Sequence, residues 1–464
     1  MRFFRLVSHK ARLFVLSAMI AFSLFFIVKD KIPEQGDHFQ RTEDVFSLKF
    51  YEMYGKYFFY YSELFDKDTS SAYLRTMTER INNPFSWLYY SLLMKVFGND
   101  QESREGFSVF REKTQRTQEI DEYDVTLISR ILNGKISDGE LPAVLASTEK
   151  LEIGWFKHIV TLLLYRSLEM QDEADTARKL ALHEAYGTVK KILFVSTVLF
   201  ILFIAGIMII IKGVKREKIF QSFDKDRLYK LDARYLFETF IMWIFIATLV
   251  KSILASSGDL VKMIKSLDLT VRIYVLSGIY VLPCISFLYL KSITKRISIP
   301  REELYIPHGK ILKDVVYGIG GYCALIPLLL LSAIIIVPLE SKLEKVLPTP
   351  TNPAVALISS SKTAGEWILL FFLIACLAPV IEEIVFRGIL QNAIKRKAGP
   401  WAGIFLSACI FSFLHPQLPL GFLPVMVLGI VFGMLAEARK SLVPSIIAHS
   451  MNNGVIIVFV SMFT

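Results

Sequence analysis

Three charged residues stand close together in a segment that is apolar enough to lie inside a membrane. Glu382, Glu383 and Arg387 interrupt an apolar run that begins near Trp367. A charge at the centre of a bilayer costs about 2.5–3.5 kcal/mol on insertion scales. Glu383 and Arg387 are four residues apart, so on one helix they share a face and can neutralise each other. Glu382 points ~100° away from Glu383 and has no partner on its own helix, which makes it the functional candidate.

Polar residues with the same four-residue spacing occur in two later apolar segments. Phe411 and His415 form one pair, and His449 and Asn453 form the other. A buried carboxylate can take a proton from water as a general base, and a histidine can share that water or relay its proton. A second histidine and an asparagine can donate hydrogen bonds to a developing oxyanion. The set predicts hydrolysis by activated water, because no serine or cysteine lies in a nucleophile-and-base arrangement.

The order of the three motifs resembles a known family. EExxxR, FxxxH and HxxxN on successive C-terminal segments are similar to those of the CAAX-prenyl-protease and bacteriocin-processing (CPBP, or Abi) family of intramembrane glutamic endopeptidases. The resemblance covers roughly residues 365–460. It implies that Glu382 and His415 activate the attacking water. It also implies that His449 and Asn453 build the oxyanion hole.

The same resemblance implies roles for the remaining motif residues and a class of substrate. Glu383 and Arg387 are expected to support the site or to position the substrate. Apart from the resemblance, Phe411 is interpreted as a packing residue that shapes the site wall. The site is expected to be reached from the cytoplasmic side. The substrate is expected to be a peptide or a membrane-associated protein, and a prenylated CaaX protein is one candidate that the resemblance implies.

Other functions are compatible with parts of the sequence. Glu382, His415 and His449 could ligate a divalent metal ion, as in a zinc-dependent membrane protease. The resemblance favours a glutamate mechanism without metal or other cofactor. A non-catalytic membrane scaffold or immunity protein is a third reading. A proton-coupled transporter is disfavoured, because the polar residues lie in the last four apolar segments without a matching set in the first five.

The composition predicts an integral membrane protein. The chain has 464 residues, of which 53% are hydrophobic, and its mean hydropathy is +0.46. Residues 31–190 carry 20 Lys and Arg against 26 Asp and Glu, whereas the remainder carries 33 against 17. The basic excess lies in short loops between apolar runs, which is typical of cytoplasmic loops and not of nucleic-acid binding. The cysteines all lie in apolar segments and predict neither a disulfide framework nor a cysteine-based zinc site.

Nine apolar runs predict an all-α, polytopic membrane protein. They are 13–28, 192–211, 235–254, 272–290, 315–338, 367–390, 402–415, 420–436 and 442–463. The seventh and eighth are short for a full crossing of ~20 residues. Because Pro416 and Pro419 lie between them, they are expected to form a tight helical hairpin. The first run follows a basic N-terminus and is expected to be a signal anchor, with a cleaved signal peptide as the alternative.

Four basic loops give the predicted orientation. They lie near 212–234, 291–314, 395–397 and 439–440. If the N-terminus is cytoplasmic, all four loops fall on the cytoplasmic side and residues 31–190 lie outside. The expected location is the plasma (inner) membrane of a bacterium. The expected divisions are a signal anchor at 1–30, an extracytoplasmic domain at 31–190, membrane helices at 191–345 and a catalytic membrane core at 346–464.

The polar region 31–190 is expected to be α-helical. Asn83-Pro84 and Gly98 are start and stop signals around one helix. The order of helix, short turn and helix is compatible with an array of helical hairpins or with an irregular bundle. The aromatic residues at 50–65 are expected to pack in a helix core or at an interface. This region is the candidate for binding a protein partner.

Overall fold

The chain folds into helices, which the computed structural model describes over twelve ranges. The described residues are 9–30, 40–62, 67–81, 83–117, 122–150, 153–215, 229–295, 299–307, 311–343, 357–358, 361–415 and 420–463. No strand occurs among them, which confirms the all-α prediction. The chain divides into two compact units. The membrane unit comprises Met1–Gln35 and Val198–Phe459, and the polar unit comprises Gly36–Thr197 and Val460–Thr464.

The helices are numbered α1 to α18 in chain order. They are α1 His9–Asp30, α2 Gln40–Tyr60, α3 Lys67–Ile81, α4 Pro84–Val96, α5 Asp100–Thr117, α6 Glu122–Leu132, α7 Leu141–Lys150, α8 Phe156–Ser167, α9 Gln171–Lys215, α10 Ala233–Ser256, α11 Gly258–Ser266, α12 Leu269–Val281, α13 Phe287–Thr294, α14 Ile311–Leu343, α15 Ala364–Ala398, α16 Pro400–Leu414, α17 Phe422–Arg439 and α18 Val443–Phe463.

The polar unit is a helical assembly around one hydrophobic core. Helix α4 begins where the sequence predicts, because the Asn83 side chain accepts a hydrogen bond of 2.8 Å from the amide of Phe85. Gly98 follows the helix with φ +82°, a left-handed conformation that favours glycine. Tyr51 and Phe59 of α2 are buried in this core. The predicted packing role of the aromatic region is therefore confirmed at these two positions.

The membrane unit accounts for the hydrophobic composition. Seven helices of the described residues are long and apolar enough to cross a membrane. They include the membrane part of α9, the pair α12 and α13, and helices α10, α14, α15, α17 and α18. Two shorter apolar helices, at Val15–Leu24 and Pro400–Leu414, overlap the first and seventh predicted runs. The chain is thus an integral membrane protein.

Helices α16 and α17 form the predicted hairpin. The Ser412 hydroxyl donates a hydrogen bond of 2.5 Å to the Phe422 carbonyl. Gly429 allows a close crossing, because a Cβ atom at this position would lie 2.8 Å from the Cβ of Ala408. His415 ends α16 in an extended conformation, as the residue before a proline prefers. The two prolines that motivated this prediction lie at 416–419, outside the described residues.

The N-terminal helix α1 packs against α10. The rings of Phe22 and Phe245 meet edge to face with their centroids 5.4 Å apart. The hydroxyl groups of Ser23 and Thr248 lie 3.2 Å apart and form a buried hydrogen bond. Helix α1 therefore has specific contacts within the membrane unit.

Helix α15 is irregular around the adjacent glutamates. Two π-helical stretches, Phe372–Leu377 and Ile384–Gln391, flank the short α-helical segment Ala378–Glu383. Pro379 lacks the amide proton that a regular α-helix would direct to Ala375, so the helix widens before it. The regular helix assumed from the sequence is wrong here. Such π-helical turns occur often at functional sites.

The described residues of the four basic loops lie at one face of the membrane unit. Glu303 in the second loop accepts hydrogen bonds from the amides of Lys230 and Leu231 in the first, at 3.1 and 3.3 Å. Arg396 in the third loop donates a bond of 3.0 Å to the Glu303 carbonyl. In the fourth loop, Lys440 pairs with Glu437. These contacts agree with the prediction that all four loops lie on the same side.

Because Glu437 precedes Arg439 and Lys440, the sequence predicts an interfacial residue at a helix end. Glu437 does lie in the last turn of α17, but it is buried and links these loops. It is fully buried, and its carboxylate lies 3.0 Å from Lys395 Nζ. Tyr305 donates a hydrogen bond to the same carboxylate. Burial, followed by the charge of Glu437, raises the pKa of Tyr305 well above its usual range, so the hydroxyl keeps its proton. The interfacial placement is wrong, and the sequence does not show this because Lys395 and Tyr305 come from distant parts of the chain.

Candidate active site

Glu382 receives partners from two other helices. The Tyr280 hydroxyl donates a hydrogen bond of 2.7 Å to Glu382 Oε1. The other carboxylate oxygen of Glu382, Oε2, lies 3.6 Å from His449 Nε2, and this distance is beyond the usual hydrogen-bond range. The side chain of Glu382 is 18% exposed, whereas that of Glu383 is fully buried. Glu382 is therefore the carboxylate that water can approach.

His449 lies between the two adjacent carboxylates. Its Nδ1 is 3.0 Å from Glu383 Oε1, on the side away from Glu382. Its ring stacks on Phe432 with the centroids 4.8 Å apart and an angle of 22° between the planes. The stacking and the contact with Glu383 together fix the plane of the imidazole. Glu382, Glu383 and His449 thus form one cluster built from α15 and α18.

Arg387 pairs with Glu383, as their spacing predicts. Arg387 Nε lies 3.3 Å from Glu383 Oε2, and both side chains are completely buried. The guanidinium group lies between two aromatic rings, 4.8 Å from the centroid of Phe411 and 5.8 Å from that of Phe432. None of its nitrogens has a well-formed hydrogen bond among the described residues. Ionic and cation–π contacts therefore hold this buried charge.

Phe411 separates the two histidines of the predicted site. Its ring centroid is 4.3 Å from that of His415 and 6.0 Å from that of His449. His415 Nδ1 lies 2.7 Å from the Phe411 carbonyl oxygen, which can only accept. Nδ1 therefore carries the proton, and Nε2 holds the lone pair when the ring is neutral. The structure brings His415 to the same aromatic residue as His449.

Asn453 is held by its own hydrogen bonds. Its Nδ2 donates a hydrogen bond of 3.0 Å to the carbonyl of Ile374, which belongs to the first π-helical stretch of α15. Its Oδ1 accepts a bond of 3.3 Å from Asn452. These two contacts distinguish the nitrogen of the Asn453 side-chain amide from its oxygen, because the Ile374 carbonyl can only accept and the Asn452 nitrogen donates. The amide nitrogen has a second proton, which can donate to another acceptor.

The alternative metal ligands do not come together. Among the described residues, no group of three or more His, Cys, Asp or Glu side chains could hold a metal ion. Glu382 and His449 are neighbours, but His415 does not join them as a third ligand. The residues present therefore do not fit the zinc site that Glu382, His415 and His449 would form.

Two residues that contact the site were missed by sequence reasoning. Tyr280 lies in the fourth apolar run and Phe432 in the eighth, and neither belongs to a recognisable motif. Each resembles an ordinary aromatic residue of a membrane helix. An unpaired carboxylate at Glu382 indicates that a donor is needed, but it does not indicate which helix provides that donor.

Comparison with known families supports the resemblance drawn from the three motifs. Residues 364–455 match the family model described as type II CAAX prenyl endopeptidase Rce1-like. This match contains every motif residue of the candidate site and confirms the similarity to CAAX proteases. It excludes Tyr280 and the whole polar unit. No curated protein and no solved structure matches the chain.

Proposed function

From the similarity of residues 364–455 to CAAX prenyl endopeptidases, we propose that the protein is an intramembrane endopeptidase with a glutamate mechanism. The observation that carries the proposal is the cluster in which His449 lies between Glu382 and Glu383. Its substrate is a membrane-associated peptide or protein, with prenylated CaaX proteins as the class that the family similarity favours. The reaction is hydrolysis of a peptide bond.

Glu382 is the proposed general base. Its Oε2 takes a proton from water, and the water oxygen then attacks the carbonyl carbon of the substrate. A water molecule can contact Glu382 Oε2 and His449 Nε2 at once, because these atoms are 3.6 Å apart. His415 assists through Nε2, which is the acceptor nitrogen of its neutral ring. The enzyme forms no covalent intermediate in this mechanism.

His449 and Asn453 are the proposed oxyanion donors. Glu383 accepts from His449 Nδ1, so a donor at Nε2 requires a proton on both ring nitrogens. The charges then balance, because two positive groups, His449 and Arg387, face two carboxylates. Balanced pairs lower the penalty of burying charge in a medium of low dielectric constant. The second amide proton of Asn453 supplies the other donor.

Collapse of the tetrahedral intermediate completes the reaction. The carbon–nitrogen bond breaks, and the proton held by Glu382 passes to the leaving amine. The proton that remained on the attacking oxygen then passes from the new carboxyl group to the amine, so the products are a carboxylate and an ammonium group, and Glu382 returns to its ionised form. Water therefore supplies the oxygen and both protons that the products gain.

The topology is a further part of this proposal. The N-terminus and the four basic loops face the cytoplasm of a bacterial cell, while residues 31–190 lie outside the plasma membrane. The candidate site then opens toward the cytoplasmic side. The polar unit is proposed to recruit a protein partner or substrate.

A comparison of membrane proteomes tests the proposed activity. Cells that express wild type should contain peptide fragments that are absent from cells with Glu382→Gln, because glutamine cannot accept the proton of water. Loss of a general base reduces turnover by about 10²- to 10⁴-fold. Glu238→Gln is the matched control. Glu238 is a buried glutamate of α10 that accepts a hydrogen bond from the Tyr289 hydroxyl, and it is not one of the proposed site residues.

Three outcomes distinguish the candidate functions. Identical fragments with wild type and Glu382→Gln would reject the glutamate protease. Loss of function on deletion of 31–190, with Glu382→Gln and His415→Ala fully functional, would indicate a scaffold or immunity protein. Activity that disappears with chelator and returns with Zn²⁺ would indicate a zinc enzyme, and metal analysis of the purified protein would confirm it.

A further inference from the structure

We infer that Tyr280 is a positioning residue that holds the Glu382 carboxylate in the orientation needed to activate water. The inference rests on the proposed function and adds a residue from outside the segment that matches the protease family. The contact itself is the 2.7 Å hydrogen bond from the Tyr280 hydroxyl to Glu382 Oε1. A hydrogen bond to an ionised acceptor is among the stronger polar contacts in a protein.

The carboxylate of Glu382 needs an external restraint. The last torsion of a glutamate side chain has a broad, two-fold preference, so its two oxygens exchange positions easily. Glu383 is restrained by Arg387 on one oxygen and by His449 on the other. His449 lies too far from Glu382 to provide the equivalent restraint, at 3.6 Å. Among the contacts that the structure gives Glu382, only that of Tyr280 has hydrogen-bond geometry.

The bond also assigns different roles to the two oxygens. Oε1 accepts from Tyr280, which leaves Oε2 to face Nε2 of His449. The attacking water is proposed to bind at Oε2, next to the oxyanion donor. A carboxylate that rotated freely would present this oxygen for only part of the time. Tyr280 thus favours the reactive geometry before the substrate binds.

The backbone changes its helix type directly after Tyr280. Tyr280 is the penultimate residue of α12, and a 3₁₀ stretch over Leu282–Ser286 follows the helix. Pro283 begins this change of helix type, because it cannot donate the hydrogen bond that a continuing α-helix requires. Pro283 and Ser286 are buried and hold the stretch in the protein interior. The side chain of Tyr280 packs with the hydrophobic cluster that contains Ile381 and Phe411.

A second tyrosine–glutamate pair provides a matched control. Tyr289 of α13 donates to Glu238 of α10, and both side chains are buried in the membrane unit. This pair has the same chemistry, and its helices α10 and α13 carry no motif residue of the candidate site. Tyr280→Phe and Tyr289→Phe each remove one hydroxyl and keep the ring. A general loss of stability affects both variants, whereas loss of positioning affects only the first.

The test begins with the cleavage site that the proteome comparison maps. A quenched fluorescent peptide that spans this site is given to purified full-length wild type, Glu382→Gln, Tyr280→Phe and Tyr289→Phe. For Tyr280→Phe we expect kcat to fall about tenfold or more, which corresponds to loss of one strong hydrogen bond in the transition state. KM should stay within about twofold, because the hydroxyl is not proposed to touch substrate. Tyr289→Phe should retain wild-type kcat and KM.

The outcomes separate this inference from the proposed function. If Glu382→Gln is inactive while Tyr280→Phe has the wild-type kcat, the positioning role is wrong and the protease remains. An increase in KM with unchanged kcat would also reject positioning, because it would indicate contact with substrate. Equal losses of kcat in both phenylalanine variants would indicate a structural role. If Glu382→Gln cleaves as wild type does, the proposed function fails and the role of Tyr280 fails with it.

Discussion

Glu383 is enclosed by Arg387 and His449, whereas the adjacent Glu382 keeps part of its side chain exposed. The difference follows from their partners. An enclosed carboxylate with an arginine beside it is suited to hold a charge and to orient a histidine. A carboxylate that water can reach is suited to exchange protons. The two glutamates are therefore proposed to have different roles. Glu383 orients His449, and Glu382 takes a proton from water.

Paired substitution at Glu383 and Arg387 separates stability from activity. Arg387→Met alone leaves a buried carboxylate without its counter-charge, and it should lower the free energy of unfolding by about 3–5 kcal/mol. The double variant Glu383→Leu/Arg387→Met removes both charges and should recover most of this loss. It should still fail to cleave, because His449 loses the acceptor at Nδ1. Thermal unfolding of purified protein and the fragment assay measure the two effects.

The single variant Glu383→Leu is the control for this pair. It leaves Arg387 buried without its carboxylate, so it should be about as unstable as Arg387→Met. Cleavage at the wild-type rate by the stable double variant would show that Glu383 does not orient His449. The assignment of Glu383 as a supporting residue would then be wrong.

At the residue scale, the sequence was informative where partners share a helix and uninformative where they do not. The pairing of Glu383 with Arg387 follows from helix geometry alone. The hydrogen bond from Tyr280 to Glu382 joins residues 102 positions apart, and nothing in the fourth apolar run distinguishes this tyrosine. The burial of Glu437 was missed for the same reason. Only tertiary packing determines such partners.

At the element scale, the α16–α17 hairpin sets the position of Phe411 and His415. The hairpin could be predicted, because two short apolar runs joined by prolines leave few alternatives. The π-helical stretches of α15 could not, because they depend on Pro379 together with tertiary contacts. Asn453 of α18 illustrates these contacts, since its side chain donates a hydrogen bond of 3.0 Å to the Ile374 carbonyl in the first π-helical stretch. A periodicity argument assumes the regular backbone that this helix lacks.

The close crossing at Gly429 gives a prediction about the hairpin. In Gly429→Ala, the new methyl group would lie 2.8 Å from Ala408 Cβ and 2.9 Å from its Cα, so the two helices must separate. We expect a loss of about 1–3 kcal/mol in the free energy of unfolding. Cleavage should also fall, because Phe411 and His415 follow Ala408 on the displaced helix. Thermal unfolding and the fluorescent peptide assay measure both effects.

Gly320→Ala is the control for the crossing. A Cβ atom at Gly320 would meet only Ile209 Cδ1, at an ordinary distance of 3.8 Å. The same substitution on a membrane helix should therefore leave stability and cleavage unchanged. If Gly429→Ala behaves like Gly320→Ala, the crossing does not determine the position of the site residues.

At the scale of the whole molecule, the distribution of charged and apolar residues indicates which parts of the chain lie in the membrane. The apolar runs and their basic loops could be recognised without a structure, because the bilayer imposes length and sign on them. The contacts of Glu303 with Lys230 and Arg396 then join loops that are distant in sequence. The polar unit could be predicted to be helical, but not its packing, which depends on long-range contacts between helices.

The proposed topology predicts which positions a membrane-impermeant thiol reagent can reach. Glu149 of the polar unit and Lys397 of the third basic loop are both exposed, so a cysteine at either position should react when the reagent has access. Glu149→Cys should be labelled in intact cells from which any outer barrier has been removed. Lys397→Cys should be labelled only after the membrane is permeabilised, because basic loops stay in the cytoplasm. The unsubstituted chain, whose cysteines lie in membrane helices, gives the background. Labelling of Lys397→Cys in intact cells, with Glu149→Cys protected, would reverse the orientation and open the candidate site to the outside.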